Sequence, residues 1–294
     1  MVGLRIGIVG VGAMGEPMAQ CLRRAGFEVI ACAHRNPEPL ERLSKEGVRR
    51  ARDPAGVAAQ SDVLITMVPD APQVEEAIFA EQGLLAGAEK PTYFIDMSTI
   101  SPVASRRFAE RLTREGHFFM DSPVSGGPAR AKEGTLTLMV GACDADFARM
   151  EPVLRAMGVP HHVGPVGMGE TVKLVNQILI ANIMIANAEA LTFAKRSGAD
   201  IGVVREVIAS ATGSNYLLEK WLPTTWFAGS FERGFAMDLL RKDLAAALDT
   251  ARSFTLPLPA SSLAYQVYTA ASAQGNGSRD YTAVATLYER IATE

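Results

Sequence analysis

Residues 4–9 run Leu-Arg-Ile-Gly-Ile-Val, a short apolar stretch of the length and composition expected for a buried strand. Glycine interrupts it at once, and helical spacing follows over 16–25, closed by Gly26. The exchange then repeats. Apolar runs at 27–33, 63–68, 93–96, 118–120 and 135–140 predict strands, and the spacing predicts helices opening at Asp53-Pro54 and covering 71–79, 102–115 and 144–157. A last strand around 161–163 ends this half, and its neighbouring His161 and His162 would face opposite sides of the sheet, which excludes a metal pair. Strands alternating with helices predict an α/β domain built on a parallel sheet. Past Gly164 no strand pattern recurs. Residues 170–197 contain neither glycine nor proline and predict one long helix, and 201–211, 236–253, 259–274 and 281–293 carry helical spacing. Between them lie irregular stretches at 213–215, 221–227 and 229–234. The expected division is 1–164 for the α/β domain and 165–294 for an all-helical domain joined to it by the long helix.

Composition narrows the partners. At 294 residues the chain exceeds a usual single core, in keeping with two domains. A net charge of −3 with mixed signs gives no basic stripe, so neither nucleic acid nor an anionic membrane is an expected partner. Cys21, Cys32 and Cys143 are odd in number and widely spaced, which indicates neither a disulfide framework nor a zinc site and fits a cytoplasmic setting; no signal peptide is expected at the start. The long helix is apolar nearly all round from 178 to 194, but Asn182, Asn187 and Glu189 interrupt it. Burial between protein layers or between subunits is therefore expected over a membrane span, and with it a homodimer or homotetramer.

The candidate chemistry starts between the first strand and helix, where Gly10-Val11-Gly12-Ala13-Met14-Gly15 reads G-x-G-x-x-G. The first glycine permits the tight turn, the second lets a pyrophosphate approach the backbone, and the third lets helix pack on strand. Gly10, Gly12, Ala13, Met14 and Gly15 are thus candidate dinucleotide contacts at a helix N-terminus. About 20 residues on, where an NAD enzyme places an acid for the ribose hydroxyls, stand His34, Arg35 and Asn36. Arg35 is suited to a 2′-phosphate, so NADP(H) is the expected cofactor with NAD(H) possible; a loop arginine without a ligand is the alternative. Ligands of such sheets gather beyond the strand ends, which adds Val68, Pro69 and the Ser98-Thr99 pair. Ser125-Gly126-Gly127 is a loop whose amides and hydroxyl can converge on a carboxylate, unless it is a plain turn. Lys173 lies one turn inside the long helix behind Gly164, Gly167 and Gly169, with Asn176 and Gln177 on the same face. A solvated surface lysine is the alternative there, as an exposed helical pair is for Lys242-Asp243.

Taken together these stretches resemble the β-hydroxyacid dehydrogenase family, over nearly the whole chain. Residues 10–19 look like its cofactor motif, 121–134 its substrate motif, 167–176 its catalytic-lysine motif, and Lys242-Asp243-Leu244 its C-terminal contact. The resemblance implies an α/β Rossmann-type dinucleotide-binding domain, an all-α C-terminal domain, and a cleft between them. It implies Lys173 as general acid/base, Ser125, Gly126 and Gly127 at a substrate carboxylate, and Thr99 and Lys242 beside the nicotinamide ribose. Burial and the oxidised nicotinamide's charge would favour the neutral amine that Lys173 needs as a base. Many members carry asparagine four residues after the lysine; here Asn176 is at plus three and Gln177 at plus four, as in tartronate semialdehyde reductases, and either amide could reach the substrate. The implied substrate is a small 3-hydroxy acid or semialdehyde carboxylate, and no metal is needed. Two alternatives share the architecture: a non-catalytic dinucleotide-binding relative, which need not keep the lysine, and an imine reductase, which would replace the lysine-centred group. A 6-phosphogluconate dehydrogenase would need a longer helical half.

Overall fold

The computed structural model describes residues 3–232 and 234–293, so Arg233, in the irregular 229–234 stretch, lies outside the described residues. The chain forms two compact units, Met1–Lys173 and Leu174–Glu294. The division falls inside the long helix, immediately after the candidate lysine.

In the first unit, strands β1 (Arg5–Val9), β2 (Glu28–Cys32), β3 (Arg49–Arg50), β4 (Val63–Thr66), β5 (Tyr93–Asp96) and β6 (Phe118–Asp121) line up in the order β3-β2-β1-β4-β5-β6. All five of those pairings are parallel. This is the doubly wound order whose reversal point, between β1 and β4, opens a crevice at the strand ends. Helices connect the strands as the alternation requires: α1 (Gly15–Arg24), α2 (Glu38–Lys45), α3 (Pro54–Ala58), α4 (Ala71–Phe79), α5 (Leu84–Gly87) and α6 (Pro102–Arg114). Local chemistry starts several of them. Asp53 caps α3 by accepting from the Gly56 N–H at 2.8 Å, and Ser101 caps α6 through the Ala104 N–H at 3.1 Å. Buried residues lie on both faces of the sheet, Ile6, Ile8 and Val29 in one cluster and Leu64, Phe94 and Phe108 in the other.

Beyond β6 the parallel expectation needs correction. Strand β7 (Val124–Ser125), helix α7 (Gly127–Glu133), strand β8 (Leu136–Gly141), helix α8 (Asp144–Arg155) and strand β9 (Gly158–Gly164) complete the unit. β8 runs antiparallel to both β6 and β7, and parallel to β9, so the sheet is mixed. Such an antiparallel edge is common on doubly wound sheets. His161 is exposed and His162 half-buried, with one ring nitrogen 2.8 Å from the Ala142 carbonyl, as their alternation requires.

Helix α9 (Met168–Arg196) carries the chain into the second unit, which among the described residues is helical: α10 (Ile201–Ala209), α11 (Met237–Ser253), α12 (Pro259–Ala271) and α13 (Ala285–Thr293), with short π and 3-10 turns between. Ala181, Met184, Ala188 and Leu191 form the buried stripe of α9 and pack with Leu240, Leu244 and Tyr268. Its other flank is open, with Leu179 53% and Phe193 75% exposed. Asp280, fully buried, accepts from the Phe235 N–H and from the Thr282 hydroxyl, which ties the loop before α11 to the turn before α13.

Candidate active site

β1 leaves the sheet at Gly10, whose φ of 101° lies in the left-handed region that favours glycine. A Cβ on Gly10 would run into the Met67 carbonyl at the end of β4, and one on Gly15 into the Gly10 carbonyl. Gly12 differs, because nothing lies within 4 Å of where its Cβ would be. Two glycines therefore pack the turn tightly, and the middle one faces open space at the N-terminus of α1, which carries no side-chain cap. That is the arrangement a pyrophosphate needs: bare backbone and uncapped helical N–H groups. The residues present fit a dinucleotide, with Ala13 and Met14 completing the loop.

At the end of β2, His34, Arg35 and Asn36 are exposed. The Asn36 carboxamide oxygen accepts from the Glu38 N–H at 3.0 Å and so starts α2. Arg35 makes no ion pair with any described residue. Further along the crevice the loops after β4 and β5 are laced together. The Val68 N–H donates to Ser98 Oγ at 3.0 Å, the Ser98 N–H to Asp96 Oδ1 at 3.1 Å, and the Thr66 hydroxyl to the same Asp96 oxygen at 2.8 Å. This fixes Val68 beside Pro69, and Thr99 beside Ser98, at adjacent strand ends.

Ser125, Gly126 and Gly127 are half-buried between β7 and α7, so the stretch read from sequence as a loop is a strand-to-helix junction. Gly126 and Gly127 have φ of 133° and 66°, which strongly favours glycine at both. Asp121, four residues upstream, faces elsewhere. It is fully buried, and its two oxygens accept the N–H groups of Gly167, at 2.6 Å, and Glu170, at 2.8 Å. It therefore caps the lysine helix. Gly169 leaves no room for a Cβ against the Met139 carbonyl and Asp121, so the glycines before Lys173 bring the helix close to β6 and β8. Lys173 itself is only 7% exposed, which removes the surface-lysine alternative.

Within the second unit, Gln177 is 1% exposed and spends both ends of its amide: Nε2 donates to Asp243 Oδ2 at 2.6 Å, and Oε1 accepts from Asn176 Nδ2 at 3.0 Å. Lys242 Nζ lies 2.8 Å from Asp243 Oδ1, with Asp243 buried. Lys242-Asp243 is thus no exposed surface pair.

A family model described as the NAD binding domain of 6-phosphogluconate dehydrogenase matches residues 5–169, and one described as NAD-binding of NADP-dependent 3-hydroxyisobutyrate dehydrogenase matches 167–288. The chain is 36% identical over 291 residues to 2-hydroxy-3-oxopropionate reductase from Escherichia coli (strain K12), covering 98% of each. It is 35% identical over 289 residues to 2-(hydroxymethyl)glutarate dehydrogenase from Eubacterium barkeri, covering 98% of this chain and 96% of that one. The chain belongs to the β-hydroxyacid dehydrogenase family. Among solved structures, Mycobacterium tuberculosis 3-hydroxyisobutyrate dehydrogenase with L-serine superposes with a TM-score of 0.89 at 32% identity, covering 97% of this chain and 98% of that one. This family member is an NAD(P)-dependent oxidoreductase, and its first unit is the NAD(P)-binding Rossmann domain.

The cap on this dehydrogenase's lysine helix has a pH signature. Burial pushes the Asp121 carboxyl up to about 6, the two helical N–H bonds opposing the rise. A carboxyl whose folded pKa is raised binds its proton more tightly in the native state. Its contribution to stability is therefore full below about pH 4 and is lost as pH rises through about 6, a change of roughly 3 kcal/mol for a two-unit shift. Asp121→Asn should flatten that decline. Urea unfolding of both proteins at either end of the window checks it, and parallel pH slopes would contradict it.

Proposed function

We propose that this dehydrogenase moves hydride between NADP(H) and a small 3-hydroxy acid or the matching semialdehyde carboxylate, with Lys173 as general acid/base. The observation that carries the reading is a lysine 7% exposed, one turn inside a glycine-entered, carboxylate-capped helix. The names of the relatives support the substrate class: a 2-hydroxy-3-oxopropionate reductase and 3-hydroxyisobutyrate dehydrogenases act on three-carbon-backbone acids of this kind. Tartronate semialdehyde and 3-hydroxyisobutyrate are the substrates we put first. When bound, the nicotinamide supplies the hydride acceptor or donor.

The chain's own residues do the rest. Gly10, Gly12, Ala13, Met14 and Gly15 hold the pyrophosphate, Arg35 and Asn36 the 2′-phosphate, and Val68, Pro69, Thr99 and Lys242 the nicotinamide side. Ser125 Oγ and the amides of Gly126 and Gly127 orient the substrate through its carboxylate. Lys173 accepts the proton of the C3 hydroxyl in oxidation and returns it to the nascent alkoxide in reduction. Of the two amides after the lysine, Asn176 is the better substrate contact, because Gln177 is committed to Asp243 and to Asn176. A homodimer or homotetramer in the cytoplasm is the setting we favour, in keeping with exposed Leu179 and Phe193 on α9 and three free cysteines.

Following nicotinamide absorbance over a panel of small 3-hydroxy acids and semialdehydes, with both cofactors, tests the reading, and turnover on none of them overturns it. Ser125→Ala should raise the substrate KM by about 10- to 100-fold with little change in the cofactor KM, since one hydrogen bond to a charged group is worth roughly 1.5–3 kcal/mol. Equal damage to both constants would make the segment a structural junction only.

A further inference from the structure

We propose that Glu170 is a positioning residue: its buried carboxylate fastens the loop after β5 to the first turn of the lysine helix and so keeps Lys173 in register with residues 98–100. The inference rests on the reading of Lys173 as the acid/base. Glu170 belongs to none of the residues singled out from the sequence. An acid in the first turn of a helix ordinarily faces water and complements the helix dipole. Glu170 is instead fully buried, where a carboxylate is costly unless it is held. It is held from far along the chain: Oε2 accepts the Ile100 N–H at 3.1 Å, across 70 positions of sequence.

Ile100 follows Thr99, the residue assigned to the nicotinamide side. The Glu170 main-chain N–H in turn donates to Asp121, at the end of β6. Residue 170 thus ends a continuous set of hydrogen-bonded segments that begins with Thr66 and Val68 at the end of β4, passes through Asp96 and Ser98 at the end of β5, and reaches the start of α9. Lys173 lies three residues beyond Glu170, on the same face of the helix. A helix transmits displacement along its axis, so a shift at 170 reaches the lysine amine. Misplacing a reacting group by about 1 Å is enough to cost on the order of 100-fold in rate.

The test uses the full-length enzyme with cofactor and compares Glu170→Ala, Glu170→Gln and Glu170→Asp with Lys173→Ala. The alanine variant should lose roughly 10- to 100-fold in kcat with substrate KM within about 3-fold, because orientation rather than binding is lost. Its Ile100 amide should exchange with solvent faster. Glutamine keeps an oxygen at the same reach, so it should restore both kcat, to within about 3-fold, and protection of the Ile100 amide. Aspartate, one methylene too short, should behave like alanine, and it carries the test if alanine fails to fold. Wild-type kcat in a folded alanine or aspartate variant overturns the proposal. So does a glutamine variant as slow as alanine while Ile100 stays protected. If Lys173→Ala keeps its activity, the acid/base reading fails instead, and Ile100 exchange still reports whether the tie exists.

Discussion

Lys173→Ala is expected to abolish turnover while the protein still folds and binds its nicotinamide cofactor. The loss should fall between about 100- and 10,000-fold in kcat, the range that a positioned acid/base supplies. Cofactor binding should survive because the pyrophosphate loop at 10–15 makes its contacts through glycine backbone and helical N–H groups at the start of α1, far from the lysine in sequence. Stability should survive too. The cap on the lysine helix, Asp121 with the Gly167 and Glu170 N–H groups, stays in place. Steady-state kinetics together with a fluorescence titration of the reduced cofactor separate the two effects. Activity within a few-fold of wild type would remove Lys173 from the mechanism, and loss of cofactor binding would make its role structural.

The second large effect is on cofactor choice. Wild type should prefer NADP(H) by about 10- to 100-fold in kcat/KM, the equivalent of one charge-assisted contact worth roughly 1.5–3 kcal/mol. Arg35 stands exposed just past β2 with no ion pair to any described residue, so no described carboxylate competes for its guanidinium. Asn36 is already occupied on its oxygen side by the Glu38 N–H, which leaves its NH₂ to donate. Arg35→Asp should reverse the preference, since it removes the attraction, repels a phosphate and offers the ribose hydroxyls an acceptor. Comparing kcat/KM for both cofactors on one substrate, in wild type and variant, checks it. An NAD(H) preference in wild type would show that Arg35 points to solvent in the working enzyme.

The first unit was legible where local signals were dense. Tyr93–Asp96 is a fully buried strand whose first three residues read as an apolar run, and Ala71–Phe79 begins behind a capping aspartate and ends where its apolar spacing does. The glycine loop was legible because each glycine answers a separate steric demand, now visible at Met67, at open space and at Gly10. Helix α2 was missed: Pro37, Pro39 and five charged residues between 38 and 46 look like a loop, and only Pro39, Leu40 and Leu43 are buried. Helix α7 hid behind Gly127-Pro128, which reads as a turn although proline at the first helical positions is favourable. The direction of β8 could not be read locally, because strand orientation depends on which neighbour it meets. Asp121 and Glu170 were illegible for the same reason, their partners lying 46 and 70 residues away. Sequence spacing reveals the residues that one helix or one turn brings together, and it is silent on those that only the sheet does.

The most direct test of the central claim is isotopic. A turnover substrate from the 3-hydroxy acid panel, with every hydrogen on the carbon that bears the hydroxyl replaced by deuterium, is oxidised by the wild-type enzyme, and the reduced nicotinamide is weighed by mass spectrometry. Direct hydride transfer with Lys173 handling only the hydroxyl proton predicts one deuterium in each reduced cofactor and none released to water. Unlabelled cofactor, with the deuterium found in solvent, would contradict it.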